Sequence, residues 1–319
     1  MFIKKLFSHK SPKAPANNTP VLTSAIATAI SNTIGRQGIP IMAGSAQRAF
    51  KLSIDPNASA RDFVEVIKGD EALSARVLKV ANSVFFDRGH KAETIENCVN
   101  VLGINELRNL LSATTLSDIF PCHNPARTQF WLNDIATALT AQYICNLIAH
   151  PKKDAVFLGG LLHDIGKLLL LQRVEHTYMD VMEKAISNEK DFCGAEEEVF
   201  VFNHTEVGQL IAERWNFTPE LTEIIRKHHD VPDLSAKIKP SDIPMANIIW
   251  IADTISHALG LGHPTNFGRF RNRACEKLDD IFVFLGLDVN NKKEILQDIK
   301  NTFEIEKDLY LHPVNELDI

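Results

Sequence analysis

The chain has 319 residues, 45% hydrophobic and 23% charged, enough to bury a sizeable core without cross-links. A formal charge of −6 gives no global basic field for nucleic acid or anionic lipid. The five cysteines (Cys98, Cys122, Cys145, Cys193, Cys275) are odd in number and lack a CxxC pair, which argues against a disulfide frame and for reduced thiols in a cytoplasm.

Residues 1–20 carry four lysines, no acid and no sustained apolar run. They predict a mobile tail rather than a signal peptide, with a weak membrane-surface contact through Phe2, Ile3, Leu6 and Phe7 as the other reading. Val21 to Ile34 predicts a short helix, broken by Gly35 and Gly38-Ile39-Pro40. From Ile41 the pattern is helical throughout. Asp62, Phe63, Val66 and Ile67 share a face ended by Gly69, and Asp70 is placed to cap a helix burying Leu73, Val77, Leu78 and Val80. Ile95 to Leu102 stops at Gly103, and Asn105 is placed to cap a helix through Leu107, Leu110 and Leu111. No β alternation interrupts this half.

Phe120-Pro121 through Pro125 reads as a joint, followed by a long helix from Phe130 to Ile148. Cys193 to Phe202 is a short acidic helix. Asn203 with Glu206 forms a capping box that puts His204 in the first turn. Thr218-Pro219-Glu220 opens a helix running to His228-His229. Ser241 is placed to cap a helix through Trp250 and Asp253 to Gly260, and amphipathic helices follow around Leu278–Phe284 and Lys292–Phe303. The expected fold is all-α, with two packed helical lobes meeting near Pro121. A tail over 1–20, a lobe over 21–120, a lobe over 121–260 and a helical extension over 261–319 make up the division.

The chemistry centres on Leu158 to Leu171, LGGLLHDIGKLLLL, which reads as one core helix, capped at Asp154, that carries His163-Asp164 into the interior. It is too short and too polar at its centre to span a bilayer, and no transmembrane segment is expected. Burying an imidazole beside a carboxylate is costly unless something pairs them. A His-Asp pair on an apolar helix is more often a satisfied core pair, and a metal is the other partner. His204, His228, His229 and Asp253 are also residues of ligand type at helix ends or on apolar faces. Jointly the set points to a metal more than any member does alone. His204 is its weakest member, since the capping box offers it a local role. His9, His90, His123, His150, His176, His263 and His312 read as surface or loop residues.

HDIGK in an apolar helix, then NHTEVG, ERWNFTPEL, KHHD and IADTI, resembles the HD metal-dependent phosphohydrolase superfamily. Upstream, IPIMAGSAQRAFKL, IKGDEALSARVLKVANSVFF and ENCVNVLGINELRNLL resemble the HD-related output domain, HDOD, of bacterial signalling proteins. The resemblance implies an all-α fold whose second lobe is HD-like, a signalling role, and ligand positions at His163, Asp164, His204, His228, His229 and Asp253. The family's first ligand histidine aligns with Asn133, next to Asp134, and HHDVPDLSAK replaces the GYP-containing loop of cyclic di-GMP phosphodiesterases.

Two functions follow. One is a non-catalytic regulatory module with a degenerate metal or ligand site, working with a signalling protein partner or a nucleotide. The other is a metal-dependent phosphohydrolase whose ions activate water, with Asp164 and Lys167 as its working residues. Asn133 favours the first, with one divalent ion (Fe, Mn, Mg, Ni or Zn) or none. Nucleic-acid binding by the short N-terminal helices is a third reading, opposed by the acidic balance.

Overall fold

The computed structural model describes residues 21–311 apart from 43, 56, 84, 87–90, 122, 154, 188–190 and 263–267. Every regular element among the described residues is helical. The tail over 1–20, the Asp154 cap, and His9, His90, His263 and His312 lie outside the described residues.

The N-terminal helices are α1 (Ser24–Ile34), α2 (Gly44–Ile54), α3 (Ala60–Lys68), α4 (Glu71–Ala81) and α5 (Ile95–Ile119). Asp70 caps α4 as its position predicts, accepting from the Leu73 N–H at 3.1 Å. The expected stop at Gly103 is a break inside α5, where φ of 79° and ψ of 165° suit only glycine. Helices α2, α3 and α4 pack across α5 and bury Phe50, Phe63, Ile67, Val77, Leu107 and Leu110.

After the joint come α6 (Pro125–Leu147), α7 (Val156–Leu162), α8 (Ile165–Arg173), α9 (Glu175–Ser187), α10 (Phe192–Phe200), α11 (His204–Arg214), α12 (Pro219–Lys227) and α13 (Met245–Leu259). Helix α6 starts ahead of Phe130 because Asn124 accepts from the Ala126 N–H at 2.9 Å and Pro125 suits the first turn. The chain closes with α14 (Gly268–Glu276), α15 (Leu278–Phe284) and α16 (Lys292–Tyr310).

Three expectations are corrected. The run from Leu158 to Leu171 is not one helix: it breaks at His163-Asp164 between α7 and α8. Ser241 does not cap α13. It sits in a 3-10 turn, Pro240–Asp242, with its hydroxyl on Asp242, and α13 follows Pro244 without a side-chain cap. His150 is no surface residue but is 4% exposed. The Lys152 N–H donates to its Nδ1 at 3.2 Å, leaving Nε2–H to donate to the Ile243 carbonyl at 3.1 Å. Helices α9 and α14 were not anticipated. The first was readable, because Tyr178, Val181, Met182 and Ala185 recur at helical spacing and are buried.

Packing ties the first and last described helices to the middle of the chain. Helix α1 lies on α8 and α11, while α16 lies on α6 and α5. The Trp131 indole N–H donates to the Tyr310 carbonyl at 3.3 Å, and the Tyr310 hydroxyl donates to Glu106 at 2.7 Å. Helices α8 and α11 meet backbone to backbone. A Cβ on Gly166 would lie 2.0 Å from the His204 carbonyl oxygen.

Candidate metal centre

Five elements bring the predicted residues together. Helix α6 supplies Asn133 and Asp134, the α7–α8 break His163 and Asp164, α11 His204, the end of α12 His228 and His229, and α13 Asp253. On an unbroken helix, side chains at 163 and 164 would diverge by about 100°. The break, with Asp164 at φ −101° and ψ 16°, leaves His163 Nε2 3.5 Å from Asp164 Oδ2.

Asp164 is the hub. Its Oδ1 lies 3.2 Å from His204 Nε2 and 3.3 Å from His228 Nε2. His204 Nε2 is in turn 3.3 Å from His228 Nε2 and 3.0 Å from His229 Nε2. One ligand atom from each of Asp164, His204, His228 and His229 falls within 4.8 Å of the others. The rings are held from behind. His228 Nδ1–H donates to the Ile225 carbonyl at 2.9 Å, and His163 Nδ1–H to the Gly160 carbonyl at 2.6 Å. His204 Nδ1–H donates to Glu196 at 2.6 Å, and Tyr178 donates to the other Glu196 oxygen at 2.6 Å. Such backing fixes the tautomer and aims Nε2 inward, the arrangement that presents an imidazole to a metal.

A second group, Asp134, His163 and Asp164, is also within 4.8 Å and shares Asp164 with the first. Asp134 is fully buried, and neither of its oxygens has a hydrogen-bond partner; nor do His163 Nε2 and Asp164 Oδ1. Native interiors seldom leave such atoms unpaired. A divalent cation would satisfy them together, and a mixed imidazole and carboxylate set suits Zn, Fe, Mn or Ni. The residues fit the ion.

The electrostatics favour an ion at two of the three rings; at His204 burial works against the charged form, but Glu196 and Asp164 outweigh it and raise the ring, so an ion there displaces a proton. Burial pushes His228 down to about 4, and burial with the neighbouring His228 and His204 holds His229 well below the ordinary range. Both rings are therefore neutral, as metal binding requires. Burial works against ionised Asp164, but Lys167, His163 and His204 outweigh it and hold the carboxyl well below the usual range. Burial, with Asp164 beside it, drives Asp134 well above that range. Lys167 Nζ stands 2.5 Å from Asp164 Oδ2 and 4.6 Å from the centre of the Phe192 ring.

Not every predicted residue joins equally. Asp253 Oδ1 stands 3.8 Å from His163 Nε2 but also faces His257 at 3.4 Å, and it accepts from Thr137 and Asn133 at 3.4 Å each. It forms an edge of the site. His204 is central rather than local, because the capping box is made by Asn203 and Glu206 and leaves its ring free. Glu196, Tyr178 and the inward aim of Asp134 were not foreseen. Three successive glutamates, 196–198, give no sign of which one is buried, whereas His257 lies one turn from Asp253 and was legible. Among the described ligand-type residues around the site, His229, Asp253 and His257 are partly exposed.

The HDOD domain model matches residues 39–231 of the chain. An uncharacterised protein of Treponema pallidum (strain Nichols) is 24% identical over 231 residues, which are 71% of this chain and 44% of that protein. The chain thus matches less than half the length of this relative. A Shewanella amazonensis SB2B structure, provisionally described as a phosphohydrolase, superposes with a TM-score of 0.67 at 21% identity, over 92% of this chain and 100% of that one. A Marinobacter aquaeolei VT8 structure, provisionally described as a signal transduction protein, gives 0.68 at 20% identity, over 90% of this chain and 66% of that one. At these identities the two structures speak for the fold.

Proposed function

The chain belongs to the HDOD domain family, and on that premise we propose that it is a cytoplasmic signal-transduction module holding one divalent ion without hydrolysing a phosphodiester. Asp164, His204, His228 and His229 would hold the ion, which when bound would act as a Lewis acid and as a clip between α8, α11 and α12. Occupancy would then set how firmly those helices are held together, a state that a partner protein or a nucleotide can read. The division into lobes over 21–120 and 121–260 and an extension over 261–319 belongs to the same proposal. Among the described residues no helix is long and apolar enough to cross a membrane.

The observation that carries this reading is Asn133. Where the superfamily pattern asks for an imidazole, its amide donates to Asp253 at 3.4 Å. The second oxygen of Asp164 is meanwhile taken by the Lys167 ammonium. A second ion would have to share Asp164 with that cation and do without one nitrogen ligand. Two-metal phosphoryl chemistry needs both ions fixed a few ångströms apart. Access is also narrow, since His163, Asp164, His204 and His228 are each at most 2% exposed.

One observation favours hydrolysis. The Asp134 carboxylate, beside Asn133, has no hydrogen-bond partner and offers a second ion a hard oxygen ligand. The two readings separate on metal analysis of the purified chain, combined with assays on cyclic di-GMP and bis(p-nitrophenyl) phosphate. We expect one ion per chain, no turnover, and a second ion in Asn133→His. Turnover by the unmodified chain that is lost in His163→Ala would overturn the non-catalytic reading.

A further inference from the structure

Away from the metal centre, α2, α4, α5 and the end of α16 line an open pocket of about 560 Å³, within the size range of small-molecule sites. Short side chains make the space: Ala46 and Ala49 of α2 face Ala72 and Ala75 of α4, with Leu309 and Leu311 at the C-terminal side. Three residues of its lining each carry a buried polar atom with no partner, namely Arg76 Nη1, Ser83 Oγ and Thr114 Oγ1.

Thr114 is 8% exposed. A helical threonine at such a place ordinarily returns its hydroxyl to the carbonyl one turn back, and this one does not. Arg76 spends Nη2 on the Leu309 carbonyl at 3.5 Å, a long bond, and leaves Nη1 without an acceptor. An unsatisfied buried donor costs far more than a made bond returns, so such atoms collected on residues of one lining mark a place for a ligand's acceptors.

We propose that this cavity binds a small uncharged molecule with an apolar body and a carbonyl-type head, the head accepting from Arg76 Nη1 and the Thr114 hydroxyl. Charge selects the neutral head. The wall carries two cations, Arg76 and Lys79, against three carboxylates, Asp70, Asp118 and Asp308. Asp70 is engaged at the start of α4, accepting from the Leu73 N–H, and Asp118 lies close enough to Arg76 to offset its charge. An anionic head would meet no net positive field, whereas a carbonyl meets orphaned donors. A ligand here touches both α4 and α16 and would give the module an input separate from the metal centre. The inference does not depend on any ion being bound.

The test uses the full chain and two probes of equal length, octanamide and octanoate, followed by calorimetry and thermal shift. Octanamide is expected to bind and raise the melting temperature, and octanoate to bind more weakly. Thr114→Val keeps the shape and removes the hydroxyl, so it should weaken octanamide about five- to tenfold. Without a probe it should leave the melting temperature unchanged or raise it, because an unpaired buried group has gone. Ala46→Phe should fill the space and abolish binding. Octanoate binding more tightly than octanamide overturns the neutral head. Failure of both probes to bind, or binding indifferent to both variants, overturns the site. A lower melting temperature in Thr114→Val alone would show that the hydroxyl is already partnered, and would remove the argument.

Discussion

Gly166 is the narrowest point between the element carrying Asp164 and the element carrying His204. In Gly166→Ala the new methyl would fall 2.0 Å from the His204 carbonyl oxygen, 2.8 Å from its carbon and 3.0 Å from the Gly208 nitrogen. All three are backbone atoms, so no rotamer change can relieve the contact. Helices α8 and α11 would have to separate by roughly 1 Å in a close-packed interior. Overpacking of this kind costs about 1–3 kcal/mol, and the rigid backbone on both sides puts this site at the upper end. For a chain of this size that is a fall of roughly 3–5 °C in melting temperature. The Asp164–His204 distance of 3.2 Å would open as well. Coordination tolerates only about ±0.2 Å, so ion affinity should fall by at least tenfold to a hundredfold. Gly208→Ala is the comparison: its methyl meets Ile225 Cγ2 at 2.5 Å, the branch methyl of a buried helical side chain with one favoured rotamer, so it too should cost stability, but less than a contact with backbone alone. Thermal melts with and without Zn or Mn, together with equilibrium dialysis, read both effects. A Gly166→Ala chain that melts with the unmodified protein, or better than Gly208→Ala, would refute the packing argument.

Glu196→Gln keeps an acceptor for His204, its NH2 turning to donate to the Tyr178 hydroxyl oxygen, but removes the charge behind the ring, so ion affinity should drop about 10–100-fold; equal affinity in dialysis would show that the Glu196 charge does not support the site. Lys167→Met leaves buried Asp164 without its ammonium, so the chain should melt lower, by roughly 3–5 kcal/mol of stability. An added divalent ion should then restore more than it adds to the unmodified protein, and a smaller gain would count against Lys167 competing with the ion. Glu306, on α16, is pushed up to about 7 by burial and by Glu106. A carboxyl raised on folding contributes stability that is present below its unfolded value near 4.5 and is lost as pH rises through about 7. Urea melts from pH 4 to 8 should therefore show Glu306→Gln gaining on the unmodified chain as pH rises, and parallel curves would refute the shift.

Local chemistry made most of the fold legible. Asp70, Thr218 and the Asn203–Glu206 box each stand at the cap their sequence predicts, because a cap is decided within four residues. What failed was decided at longer range. An apolar run with helical residues on both sides of His163-Asp164 gives no local reason to break. The break follows from turning adjacent side chains toward His204 and His228, which lie 40 residues and more downstream. Ser241 looked like a cap, but the next turn is started by Pro244, which holds the extended conformation that precedes a helix. In the site, ligand types were readable and their backing was not. Nothing in GAEEEVF distinguishes the glutamate that faces His204 from the two beside it.

The centre is drawn from five helices, with contributing residues running from Asn133 to Asp253. No shorter stretch of chain contains it, and the distances among Asp164, His204, His228 and His229 exist only once α8, α11 and the end of α12 have come together. Contacts so far apart in sequence form late in folding, after the entropy of closing the long loops between them has been met. An ion that needs Asp164, His204, His228 and His229 together would therefore ignore partly folded chains and select the finished one. Its concentration would add to the stability of the finished state alone, by about 2.7 kcal/mol when the free ion stands a hundredfold above its dissociation constant. In a cell, the persistence of this chain would then follow metal supply.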